Sequence, residues 1–240
     1  MPFLVFDVET RIDKVLVRAV LHRHAEIDVD EAYEQTRADI AARSRSGSDF
    51  LPHAFHVPVS IVVGEVDDER VLRDVRVLGG EDYGEAGIVC EFWERVEAFR
   101  GTLVSFNGRA FDLPVLELAA LRYGCVIPRY FEAGYRDHDA EHLHYDLYDF
   151  VTNGGAYSVR GGFDLVARLA GLPGKDKLSG SDVQTLWETG QLAAINTYCR
   201  RDVIQTYFLF LHLERMRGRI TQSQHAAALA ATTALRAELE

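Results

Sequence analysis

The stretch that most limits the possible fold is Phe3-Leu4-Val5-Phe6-Asp7-Val8-Glu9-Thr10, an apolar run that ends abruptly in two carboxylates. β-Branched and aromatic residues in close succession predict a strand covered on both faces, the kind found inside α/β proteins. Such a strand has no room for acids in its middle, so the acidic end must face either water or a bound cation. Successive side chains of a strand point to opposite faces, which sends Asp7 and Glu9 in the same direction. Two like charges that close repel unless something positive lies between them. A solvated strand end and a cation site are the two readings, and this stretch alone does not separate them.

At 240 residues the chain is long enough for one large domain with a substantial core. With 48% apolar and 26% charged residues it has the composition of an ordinary soluble protein, which excludes a mainly disordered chain. The net charge of −11 argues against a protein that grips nucleic acid through a broad basic surface, because phosphate neutralisation supplies most non-specific affinity. It leaves open an acidic site that reaches phosphates through bound metal. Cations are 23 Arg against 3 Lys, and Lys175 and Lys177 share one Gly-rich loop. Cys90, Cys125 and Cys199 are an odd number without a paired motif, which suits reduced thiols. No apolar run approaches the ~18 residues of a membrane span, and a signal peptide's basic region and cleavage site are absent, so a cytoplasmic protein with no membrane partner is expected.

Along the chain, Asp28 to Arg45 reads as a polar, exposed helix, with acids near its start and arginines near its end. His53 to Val66 alternates through Val57, Val59, Ile61 and Val63 as a strand, Asp67-Asp68 makes a hairpin turn, and Arg70 to Leu78 pairs back antiparallel. Glu85 to Arg100 places Ile88, Phe92, Val96 and Phe99 on one helical face, followed by a strand at Thr102 to Phe106 and a helix at Pro114 to Tyr123. Helices are expected at Phe163 to Ala170, at Ser181 to Thr189 with Ser181 as cap, and from Leu192 to Met216. This order predicts an α/β fold with a mixed sheet, three antiparallel strands plus parallel strands, flanked by helices; the ribonuclease H-like arrangement is one such fold. The expected organisation is one domain over 1–220 and an Ala-rich helical tail over 221–240.

Two more acidic stretches follow. In LVSFNGRAFDLPVL, Leu103 to Leu116, Asp112 stands at the mouth of a helix, as a plain N-cap or facing a site. In NTYCRRDVIQTY, Asn196 to Tyr207, Tyr198 and Asp202 lie one turn apart on one helical face, where the tyrosine either packs in the core or orients water beside the carboxylate. D-x-E (Asp7, Glu9), then N-x3-F-D (Asn107, Phe111, Asp112), then Y-x3-D (Tyr198, Asp202), in this order, resembles the three motifs of the DEDD superfamily of 3'-5' exonucleases, tyrosine subtype. His144-Tyr145-Asp146-Leu147, Leu172-Pro173-Gly174-Lys175 and Tyr198-Cys199-Arg200-Arg201-Asp202-Val203 extend the resemblance to stand-alone proteins similar to the exonuclease domain of family B DNA polymerases.

The resemblance implies phosphodiester hydrolysis at a 3' end with two Mg²⁺ or Mn²⁺ ions, hard cations that suit oxygen ligands. Asp7 would bridge the ions, Glu9 and Asp202 would hold one, Asp112 would help seat the other, and Tyr198 would position the attacking water. Single-stranded DNA is the expected substrate, with an exoribonuclease or a non-catalytic binding module on the same fold as alternatives. Thr10, Asn107 and Phe111 are candidates to hold the terminal nucleotide, and Lys175 and Lys177 to touch the strand backbone; core packing for Phe111 and a solvated loop for the lysines are the competing readings. Asp146 either supports the metal site from behind or caps a helix. His138, His142 and His144, with Asp139 and Glu141, match no common zinc spacing. With so acidic a surface, a replication or repair protein that supplies substrate affinity is a plausible partner.

Overall fold

The computed structural model describes residues 1–80, 84–174 and 180–239. The opening run forms β1 (Phe3–Ile12), and β2 (His56–Val66) and β3 (Leu72–Val77) follow it as antiparallel neighbours. β4 (Thr102–Ser105) pairs parallel with β1 on the other side, and β5 (His144–Asp146) parallel with β4. Among the described residues this gives one five-stranded sheet in the order β3-β2-β1-β4-β5, the mixed sheet of a ribonuclease H-like α/β protein. β1 is central, and its unbroken apolar sequence follows from that place: Leu4, Phe6 and Val8 enter the core on one face, Phe3 and Val5 the core on the other.

The first face is covered by α3 (Glu85–Ala98), α4 (Asp112–Tyr123) and α5 (Pro128–Glu132), whose Phe92, Trp93, Leu116 and Tyr130 share one core with Phe6. On the second face lie α6 (Leu147–Thr152), α7 (Gly162–Leu169) and the 25-residue α9 (Leu192–Met216), with α8 (Val183–Glu188) leading into the last of these. α9 buries Val203, Tyr207 and Phe208 against Val5, Val62 and Val104. Its buried Glu214 is matched by Arg70, 3.0 Å away, and Arg219, 3.4 Å away. α10 (Gln222–Ala231), opened by a Thr221–Gln224 capping box, and α11 (Thr233–Ala237) return to α9, where Arg200 pairs with Glu238 at 2.9 Å.

Between β1 and β2 the chain inserts a helical pair, α1 (Lys14–Leu21) and α2 (Val29–Arg43). α2 was expected to be exposed, yet it buries Ala32, Tyr33 and Thr36; its inward face is narrow, so the sequence pattern reads as polar. Val17 and Tyr33 close a separate small core over Ile12, Leu51 and Phe55. His53–Phe55 is a single 3₁₀ turn before β2, not strand. The helix expected from Ser181 begins at Val183, and Asp182 in the cap position makes no side-chain cap bond. The sulfurs of Cys90 and Cys125 lie 2.7 Å apart between α3 and the end of α4, unbonded. Among the described residues no helix is long and apolar enough to cross a membrane.

Candidate metal centre

On β1 the odd-numbered side chains face α9, so Asp7 and Glu9 project toward that helix along with Phe3 and Val5. α9 presents Asp202 to them. One carboxylate oxygen from each of Asp7, Glu9 and Asp202 lies within 4.8 Å of the others. Glu9 is 7% and Asp202 5% exposed, and Asp7 is half-buried. The register of β1 on β2 shifts between Glu9 and Thr10, opposite Pro58, which has no N–H to offer the ladder. The Cys199 thiol sits behind Asp7, its sulfur 3.4 Å from the carbonyl and 3.5 Å from Oδ2. Burial, and then the charges of Asp7 and Glu9, push that thiol well above its usual range, so it stays protonated and donates.

The fourth carboxylate arrives on the turn after β4. Asn107 adopts φ +67°, in the left-handed region, and a Cβ on Gly108 would fall 2.2 Å from Ser105 Oγ, so the backbone crosses there only because glycine has no side chain. Asp146, at the end of β5, holds this turn: its carboxylate accepts the amides of Asn107 and Arg109, each at 2.8 Å, and that of Tyr148 at 2.9 Å. It therefore caps α6 and fixes the turn together. Asp112 is the first residue of α4 and not its cap; Phe111 occupies the cap position with no side-chain cap bond. The Asp112 carboxyl is 5% exposed, and burial first, then the charges of Asp7 and Asp146, raises it well above the ordinary carboxylate range.

Tyr198, 4% exposed, leans on Val59, Val183 and Ile195. It joins Asp7, Glu9, Asp112 and Asp202 in lining a cavity of about 500 Å³, bounded also by Asn107 and Phe163. Phe111 lies on the boundary with a second cavity of about 520 Å³, which Thr10 lines. The Thr10 hydroxyl is 2.8 Å from His56 Nδ1. Lys175 and Lys177 lie outside the described residues. The histidines near residue 140 do not gather: His144 is buried with Nε2 on Ser105 Oγ at 2.8 Å, His138 is 3.6 Å from Asp149, and Glu141 pairs with Arg217 and Arg219. Sequence reasoning missed Phe50 and His56, which flank Phe111 from a loop and a strand edge that carry no motif.

The donors at the centre are all oxygens, and carboxylates this close and this buried call for a counter-charge, which fits a hard divalent cation. No curated protein matches the chain. Residues 48–239 match a family described as a predicted 3'-5' exonuclease related to the exonuclease domain of PolB. The match contains Asp112, Tyr198 and Asp202, while Asp7 and Glu9 precede it and are brought to the same centre by the fold. By this match over most of its length, the chain belongs to the family of predicted 3'-5' exonucleases related to the exonuclease domain of PolB.

Proposed function

We propose that the protein is a cytoplasmic 3'-5' exonuclease that hydrolyses phosphodiester bonds from the 3' end of single-stranded DNA, with divalent Mg²⁺ or Mn²⁺ at the carboxylate centre. The observation that carries this reading is the convergence of Asp7, Glu9 and Asp202 within 4.8 Å beside Asp112 in one cavity. Asp7, Glu9, Asp112 and Asp202 hold the ions. Two divalent ions held there would supply charge stabilisation for the departing oxygen and would acidify the attacking water. Tyr198, one helical turn from Asp202 and lining the same cavity, would orient that water through its phenol. Asn107 and Phe111 hold the terminal nucleotide, and Lys175 and Lys177 touch the strand. Asp146 acts as a positioning residue, keeping the turn that delivers Asp112 in place. A replication or repair protein supplies the substrate affinity that a surface of net charge −11 lacks.

The test is the degradation of 5'-labelled single-stranded DNA and RNA of one sequence with Mg²⁺, Mn²⁺ or chelator. Wild type gives a metal-dependent ladder that shortens from the 3' end, faster on DNA, and Asp7→Ala and Asp202→Ala each slow it about a thousandfold or more. Faster loss of RNA reassigns the substrate. Cleavage that survives chelator, or survives both substitutions, overturns the assignment of the centre.

A further inference from the structure

Cys90 and Cys125 take no part in the metal centre. They face each other across the seam between α3 and the end of α4, both half-buried, with their sulfurs 2.7 Å apart. Each is held firmly by its backbone. Gly124 takes the left-handed conformation at φ +72°, and the Cys125 amide donates to the Ala120 carbonyl at 3.0 Å, a closure that stops α4 and fixes the cysteine just beyond it. Cys90 lies inside α3, between the buried Val89 and Phe92. The Trp93 indole donates to the Leu116 carbonyl at 3.0 Å and so fastens α3 to α4 one turn along from Cys90. A disulfide places its sulfurs about 2.05 Å apart, a distance that a small rotation of either side chain reaches from here.

The two residues are 35 apart in sequence. The loop that a bond between them closes contains β4, the Asn107–Gly108 turn and the whole of α4. That is the segment that brings Asp112 to the other carboxylates. Cys199, the third cysteine, is fully buried behind Asp7 and out of reach of a reagent in solution.

We propose that Cys90 and Cys125 form a reversible dithiol–disulfide site, closed by exchange with a small disulfide such as oxidised glutathione, which staples the segment carrying Asp112 to α3. Burial, and then the hydrogen bond with Cys90, push the Cys125 thiol up to about 12, so Cys90 supplies the first thiolate. The Cys90 sulfur attacks one sulfur of the small disulfide, whose S–S bond breaks and releases one thiol. The Cys125 sulfur then attacks Cys90 in the mixed disulfide, and its proton leaves with the second small thiol. Two protein thiols are oxidised by two electrons, and one small disulfide is reduced to two thiols. Reducing conditions keep the pair open, and closure follows a rise in the oxidised small thiol.

The experiment holds the folded full chain in buffers of graded reduced-to-oxidised glutathione ratio and counts free thiols after unfolding in urea, with Cys90→Ser and Cys125→Ser alongside. In the oxidised buffers wild type falls from three titratable thiols to one, and its mass drops by two hydrogens. Its melting temperature rises by about 8 °C, the worth of closing a loop of this length in a chain of this size. Dithiothreitol reverses all three changes. Cys125→Ser instead keeps a glutathione on Cys90, and neither variant melts higher. Wild type that keeps all three thiols, that carries glutathione without losing a second thiol, or that closes without melting higher overturns the proposal. So does a bond from either residue to Cys199 in the peptide map.

Discussion

Four backbone amides end on the Asp146 carboxylate, two of them from the turn that carries Asn107 and leads to Asp112. Removing its side chain leaves these buried donors unsatisfied, so Asp146→Ala is expected to lower unfolding free energy by about 3 kcal/mol in urea denaturation, with Asp146→Asn losing roughly 1 because one acceptor oxygen survives. His144 and His56 set a second residue-scale expectation. Burial pushes His144 down to about 3 and His56 to about 4, from the ordinary 6.5. Below pH 6.5 the unfolded chain takes up protons that the folded protein refuses. Stability is thus fully present above pH 6.5 and falls as the pH drops toward 4, by about 1.4 kcal/mol per pH unit for each ring. Urea midpoints measured across that range check the slope, and His56→Gln removes one share of it. Asp7, Glu9 and Asp202 were legible from the sequence because strand and helix periods leave each side chain few directions to point. For Asp146 the sequence left a helix cap and a support from behind as alternatives; the cap is there, and its hold on the turn depends on how a three-residue strand places its last side chain.

At the scale of elements, the long periodic segments were readable and the short ones were not. α3 and α9 announce themselves by apolar spacing, and the antiparallel pair β2–β3 by alternation around a turn. β5 has three residues, too few to show a period, and α1 leaves Val15, Val20 and Leu21 exposed, which blurs its apolar face. The turn from β4 to α4 is the element on which the centre most depends, and Gly108 is its tightest point. Gly108→Ala puts a methyl carbon 2.2 Å from Ser105 Oγ and 3.4 Å from Asp112 Oδ2. Ser105 is itself tied to buried His144, so the turn must shift instead, and a loss of about 2 kcal/mol with a displaced Asp112 is expected. Thermal denaturation measures the first, and weaker Mn²⁺ binding at unchanged secondary structure reports the second.

For the whole molecule, the centre is a place where the fold holds like charges together against their repulsion. Mn²⁺ bound only by the folded protein should therefore raise stability, by about 2.7 kcal/mol at a hundredfold excess over its dissociation constant. Asp202→Asn removes one of the three carboxylate donors, so it should gain much less from Mn²⁺ than wild type. Calorimetry of both proteins with and without Mn²⁺ decides the point; a variant that gains as much from Mn²⁺ as wild type would show that Asp202 does not hold the ion. The fold class was legible at this scale because a doubly buried first strand admits few architectures. The second cavity was not, since its walls come from segments far apart in the chain.

The meeting of Cys199 with Asp7 spans 192 positions. As the polypeptide is synthesised, β1 emerges long before α9 and must wait for it before one of its two faces is covered. Until then Val5, Val62 and Val104 form a bare apolar sheet face, the kind of surface on which unfinished chains stick to one another or to chaperones. No fragment that stops short of α9 can carry the centre, because Asp202 reaches Asp7 and Glu9 only from that helix.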